Sequence, residues 1–244
     1  MKTQQTQSPS FHTTQLSPSQ QLATTVRSVA FKDTSIRLEE AGRLTERYRQ
    51  NMLPGSRKGG FFGRNIIEKI LAQEDCFGIR AYFAAEENTA STLVLVGLDA
   101  SYRELTKGVL GEDVLPCPPY CAAPNALNDN VPSYIKVRSS RHRMFTGDEN
   151  HRITLAEAKR LVGNSRTSMT MRVVGADLSS DSLMSMLMQE ECAGIRVYFG
   201  LHSTETPSLI FVGANAVGDD LLSGPIVTGL PVRPTSDPSF NGLG

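Results

Sequence analysis

The plainest chemical potential in this chain lies in Cys117-Pro-Pro-Tyr-Cys121, a thiol pair at a spacing that can ligate a metal or close a disulfide. A structural zinc site needs about four ligands. His142 and His151 are the remaining nearby candidates and have no usual ligand spacing, while Cys76 and Cys192 sit in apolar segments. No metal site is therefore read. A disulfide and a rigid proline-rich turn with incidental thiols stay open; the turn is favoured, because Val232 and Ser236 stand at the matching places of a second, similar segment.

Arg80 with Tyr82, and again Arg196 with Tyr198, form the second set with chemical potential. Both pairs alternate with apolar residues, so each lies on one face of a strand. A guanidinium among apolar neighbours needs an acceptor. The acids found in both segments are Glu40 with Glu157, Glu74 with Glu190, and Asp75 with Glu191. An internal strut holding helix to hairpin is the favoured role. The alternative makes Arg80, Tyr82, Arg196 and Tyr198 ligand-binding residues, an anion or partner site present twice. Cys76 and Cys192 each precede Gly-Ile-Arg without a histidine at matching positions, and read as packed small residues. None of the four histidines receives a role, and the cluster Arg138, Arg141, His142 and Arg143 reads as a solvated loop. The sequence carries no glycine-rich phosphate loop, His-Glu-x-x-His or Gly-x-Ser-x-Gly, so no catalytic residue and no cofactor is assigned.

The elements that position these residues emerge from self-similarity. Residues 73–100, QEDCFGIRAYFAAEENTASTLVLVGLDA, align without a gap to residues 189–216, QEECAGIRVYFGLHSTETPSLIFVGANA, at an offset of 116 (189 minus 73). Weaker matches extend the likeness to a first repeat over 35–121 and a second over 151–238, joined by a linker over 122–150 and followed by a tail over 239–244. Residues 1–34, rich in Gln, Ser and Thr, are expected to be a disordered leader. Within a repeat, Leu38, Ala41, Leu44, Tyr48 and Met52 recur at helical spacing, as do Leu155, Ala158, Leu161 and, less regularly, Met169. Thr154 and Glu157 have capping-box spacing. A short second helix is predicted over 65–73 and 182–189. The period then changes to two over Ile79, Ala81 and Phe83 and over Ile195, Val197 and Phe199, which predicts a strand. The return strand, LVLVG or LIFVG, is apolar on both faces and must be covered on both sides. SYIKV in the linker is a further candidate strand. The expected fold class is α+β, a tandem duplication of a helix-helix-β-hairpin unit related by an approximate two-fold.

The strings CFGIRAYF, LVLVGLDA and PCPPYC, with CAGIRVYF and LIFVGANA in the second copy, resemble a group of bacterial proteins, mainly from Bacteroidota. That resemblance implies no activity, cofactor or active site. Lys plus Arg and Asp plus Glu both total 25, so no net field favours a nucleic-acid partner, and no stretch has the length and apolarity of a membrane span. Four cysteines in a chain of 244 residues agree with a reducing, cytoplasmic setting. The function expected is a soluble binding or assembly module with an unidentified protein partner or self-association. The competing class is an enzyme acting on a small anionic substrate at the cleft between the repeats, with Arg80 and Arg196 as binding groups.

Overall fold

The computed structural model describes residues 33–87, 90–112, 114–129, 145–168, 172–203, 206–235 and 242–243. Most of the leader, Met169 and SYIKV lie outside the described residues. The described elements are, in chain order, α1 (Leu38–Asn51), β1 (Gly59–Gly63), α2 (Arg64–Leu71), β2 (Gly78–Ala85), β3 (Ser91–Leu98), β4 (Leu110–Gly111), β5 (Leu115–Cys117), β6 (Arg152–Ile153), α3 (Leu155–Ser168), β7 (Gly175–Ser179), α4 (Ser180–Leu187), β8 (Cys192–Ser203), β9 (Thr206–Asn215), β10 (Ile226–Thr228) and β11 (Leu230–Val232). The protein is mixed α+β, with antiparallel strand pairing.

Local chemistry accounts for the helices. In α1 the first turn carries Glu39 and Glu40 and the last turn Arg49, each sign matched to the helix dipole, while Ala41 and Leu44 are buried. Thr154 Oγ1 accepts from the Glu157 N–H at 3.2 Å, as the capping spacing predicts, and Ser179 caps α4 by accepting from the Ser182 N–H at 3.0 Å. The predicted unit, helix-helix-hairpin, needs one correction. A strand precedes each short helix, GGFFG as β1 and GADLS as β7, so the succession is helix, strand, helix, hairpin. Neither string has the length or alternation that announces a strand.

Those two strands decide the topology. The five-stranded sheet runs β10-β9-β8-β1-β5 and the six-stranded sheet β11-β7-β2-β3-β4-β6. The hairpin β8–β9 is therefore extended by β1 and β5 from the first half of the chain, and the hairpin β2–β3 by β7 and β11 from the second half. Glycine permits the close approach: a Cβ at Gly59 would fall 2.0 Å from the Val197 carbonyl, and one at Gly175 2.5 Å from that of Ala81.

Alternation along the hairpins sends their two faces to different cores. Ile79, Ala81, Leu93 and Leu95 of one sheet and Ile195, Val197, Leu209 and Phe211 of the other meet in a central cluster, joined by Ile66, Ile67 and Ile70 of α2 and Leu183, Met186 and Leu187 of α4. The opposite faces are covered by the long helices. Tyr82, Val94 and Val96 pack with Ala158, Leu161 and Val162 of α3. Tyr198, Ile210 and Val212 pack with Ala41 and Leu44 of α1. Covering on both sides explains why LVLVG and LIFVG are apolar throughout.

The glutamine that opens each matched segment plugs the corner between short helix and hairpin. Gln73 Oε1 accepts from the Val109 N–H at 2.7 Å and its Nε2 donates to the Ile70 carbonyl at 2.8 Å. A Cβ at Gly108 would fall 1.5 Å from Gln73 Oε1, and one at Gly224 1.8 Å from Gln189 Oε1, so the plug needs glycine opposite it. Replacing Gln73 by Ala leaves the Val109 N–H without its acceptor, and urea unfolding is expected to show a loss of about 1–3 kcal/mol with an unchanged m-value. Stability within about 0.5 kcal/mol of the parent would show that the plug contributes nothing.

Candidate functional site

The Arg/Tyr pairs are brought into two separate clusters, one on the helix-covered face of each sheet. In β2 the side chain of Arg80 is 5% exposed. Its Nε donates to Asp177 Oδ1 at 2.6 Å and its Nη2 to Oδ2 at 2.8 Å, a bidentate pair with a residue directly opposite on β7. Its Nη1 donates to Glu104 Oε1 at 3.0 Å and lies 3.5 Å from the Tyr82 hydroxyl, which itself makes a short hydrogen bond to Glu104.

In β8 Arg196 is fully buried. Its Nη1 donates to Asp220 Oδ1 at 2.6 Å and to the Gly218 carbonyl at 2.9 Å, and its Nη2 to the Tyr120 carbonyl at 3.2 Å. The Tyr198 hydroxyl donates to Asp220 Oδ2 at 2.7 Å, and Asn125 Nδ2 reaches the same oxygen at 2.9 Å. Arg196 Nε is buried with no hydrogen-bond partner among the described residues. Opposite Arg196 on β1 stands Phe61, stacked at 3.8 Å on Phe145, whose ring centroid lies 5.6 Å from the guanidinium carbon.

The acceptors are not those the sequence suggested. Glu40 and Glu157 form exposed pairs with Arg43 and Arg160 on their own helices. Glu74 and Glu190 are exposed, and Asp75 and Glu191 adopt positive φ (58° and 62°) in the turn after each short helix. Glu104 in the first cluster and Asp220 in the second are equivalent acceptors, 116 residues apart (220 minus 104); the change from Glu to Asp hides their correspondence in the sequence. Asp177 could not be found by symmetry, since its counterpart is Phe61.

Electrostatics differ between the clusters. Burial works against the Arg80 charge, but the Asp177 carboxylate more than offsets it and raises its pKa. Burial raises the Asp177 carboxyl pKa above its ordinary value, and the nearby Arg80 only partly opposes this. Two carboxylates thus share one guanidinium at the first cluster, and one carboxylate matches one guanidinium at the second. Burial, with the nearby Asp220 carboxylate, pushes the Tyr198 hydroxyl well above its usual range.

Cys117 and Cys121 are joined by a disulfide, which corrects the preference for incidental thiols. The closed loop presents the Tyr120 carbonyl to Arg196. Cys76 and Cys192 are free thiols donating to the carbonyls of Gly78 and Gly194, with pKa values raised by burial. His151 is 1% exposed. Its Nε2 accepts from the Gly63 N–H at 3.0 Å, which leaves Nδ1 to donate to the Glu112 carbonyl at 3.2 Å, so it ties β1 to the β4 edge. Nothing in its sequence surroundings signalled that role.

A cleft of about 690 Å3 opens beside α2, with Arg64, Glu68, Asp148, Glu191 and Asn215 among its lining residues. Its polar groups engage one another: Arg64 donates to Glu68 and to the carbonyls of Leu187 and Cys192, and Asn65 to Asp148. A second groove, of about 630 Å3, is lined by Glu86, Glu87, Glu112, Glu157 and Arg160. Arg80 and Arg196 line neither. Among the described residues no three His, Cys, Asp or Glu side chains gather to hold a metal ion, and no helix is long and apolar enough to cross a membrane. No protein-family model, curated protein or solved structure matches the chain.

Replacing Arg80 or Arg196 by Met strands buried carboxylates, and denaturant unfolding is expected to show losses of about 3–5 kcal/mol each. Near-parent stability in both variants would sink the strut role. The raised Asp177 pKa carries a definite sign. The folded state holds that proton to higher pH than the unfolded chain, so the associated stability is fully present below the ordinary value of 3.8 and is lost as pH rises through the raised one. Asp177→Asn, measured against the parent by urea unfolding across the acid range, should remove this component; parallel pH profiles would show that Asp177 does not carry it.

Proposed function

We propose that the chain is a binding or assembly module made by tandem duplication of one unit, with the two copies related by an approximate two-fold and each completing the other's sheet. Three observations support the duplication: the gapless match at an offset of 116, the same succession of elements in both halves, and the reciprocal placing of β1 and β7 beside the opposite hairpin. The observation that carries the module reading is the filled centre. Side chains from both sheets and both short helices occupy the space between the halves. An enzyme working there on a small anion would instead need Arg80 and Arg196 exposed to its substrate. Both are turned to the helix-covered faces and ion-paired with internal acids.

The partner class that fits is another protein surface, with self-association the simplest case. Electroneutrality argues against nucleic acid. The cytoplasmic assignment rests on cysteine usage, and the Cys117–Cys121 disulfide counts against it, since such bonds persist mainly in oxidising compartments.

Cutting the full chain at a protease site placed between residues 130 and 144 should leave the two pieces co-eluting in native buffer. Inorganic phosphate or sulfate at roughly 10 mM should leave the melting temperature unchanged. Separation of the pieces without denaturant would sink mutual completion. An anion-dependent rise of several degrees would move the protein to the enzyme class.

A further inference from the structure

Two short segments of the chain read Asn-x-Leu: Asn125-Ala126-Leu127 and Asn241-Gly242-Leu243, 116 residues apart (241 minus 125). Their leucines fill matching sockets. Leu127 is fully buried in a cluster with Ala41 and Leu44 of α1 and with Tyr198, Ile210 and Val212 of the five-stranded sheet. Leu243 is fully buried in a cluster with Leu161 and Val162 of α3 and with Tyr82, Val94 and Val96 of the six-stranded sheet. Each segment also reaches the acid of the adjoining Arg/Tyr cluster, Asn125 Nδ2 donating to Asp220 at 2.9 Å and the Leu243 N–H to Glu104 Oε2 at 3.1 Å. One arrangement therefore occurs twice: an apolar socket between helix and sheet with a carboxylate at its rim.

The two copies differ in the groups available to tie the segment down. Around Leu127, Arg49 donates to the Leu127 and Asp129 carbonyls and Lys58 to that of Asn128, while Asn128 Nδ2 donates to the Ala122 carbonyl and the Tyr198 hydroxyl. The disulfide closes the loop just upstream. At the matching places of the second copy Arg49 is kept as Arg166, while Val174 stands for Lys58, Gly244 for Asn128, and Val232 and Ser236 for the cysteines.

We propose that the socket on the six-stranded sheet is an exchangeable docking site for an Asn-x-Leu segment, filled here by the chain's own Leu243 and open to the same segment of a second copy. A second copy is the occupant because it carries the peptide whose leucine already fits this socket. That choice rests on the assembly reading; the socket itself does not.

The test uses the full chain carrying Leu243→Asp, which sets a carboxylate beside Glu104 and unseats the segment. A synthetic peptide of residues 236–244 is titrated in while the protein's amide NMR signals are followed. Shifts are expected at Thr106, Leu161 and Val162, with the parent chain responding roughly tenfold more weakly because its own segment competes at an effective concentration on the order of millimolar. The parent should also show a concentration-dependent dimer in sedimentation, and Leu243→Asp should not. No shifts in the folded variant, or equal shifts with a peptide whose leucine is replaced by Asp, would overturn the socket. Peptide binding with a parent monomeric at every concentration would overturn the second copy as occupant, and would weaken self-association without touching the socket. Should Leu243→Asp fail to fold, Leu243→Ala replaces it; loss of the fold in both makes Leu243 a fixed part of the core and overturns the proposal.

Discussion

The seam where strands of opposite halves meet is the constraint on which this structure depends. β8 lies between β9 of its own half and β1 of the other, and β2 between β3 and β7. Without the crossing strand each hairpin would present a row of unpaired backbone groups beside apolar side chains, a costly state for a buried strand. The crossing strands bring their own core residues with them, Phe62 from β1 and Leu178 from β7, so the central cluster cannot close with either half alone. The glycines that begin β1 and β7 belong to the same constraint. They stand opposite Tyr198 and Tyr82 and allow the backbones to meet beside those large side chains.

Charge is placed in one seam and not in the other. Arg80 and Asp177 face each other across the β2–β7 pairing, and a slip of one residue would turn Asp177 into the apolar centre. A buried ion pair adds little net stability over an apolar pair of similar volume, and this one can form only in the register seen. The β1–β8 seam does this by shape. Phe61 stacks on Phe145 where Asp177 would be, and Arg196 finds its acid in its own half at Asp220. The first cluster therefore holds one carboxylate more than the second, Asp177 beside Glu104.

Much of this was legible in the sequence, and the limits have physical reasons. The long helices, the hairpins and the burial of Arg80 and Arg196 follow from period and from the double-faced apolarity of LVLVG and LIFVG. The crossing strands did not announce themselves, because GGFFG and GADLS are buried by tertiary contact alone and lack alternation. Strands of two or three residues such as β4, β5, β10 and β11 lie below what any pattern can resolve. Glu104 and Asp220 differ in residue type, and Leu127 and Leu243 lie beyond a stretch where the offset slips to 115 (230 minus 115), so neither pair stands out in the sequence although both keep the offset of 116. Residues 122–129 read as linker by composition, yet Asn125, Leu127 and Asn128 pack on the sheet.

Several charges at the surface are balanced by acids close by in the sequence. Four arginines at or near the surface are paired with acids three or four residues away, Arg43 with Glu40, Arg64 with Glu68, Arg103 with Asp99 and Arg160 with Glu157. Such pairs contribute little stability, but they cancel the local field that would steer a charged ligand. The strongly interacting charges are sealed beneath the long helices, where they shape the rims of the leucine sockets. If the socket exchanges its occupant as proposed, recognition rests on an apolar side chain between helix and sheet and on a backbone N–H at a buried carboxylate, and so depends on the sequence of the incoming segment more than on its net charge.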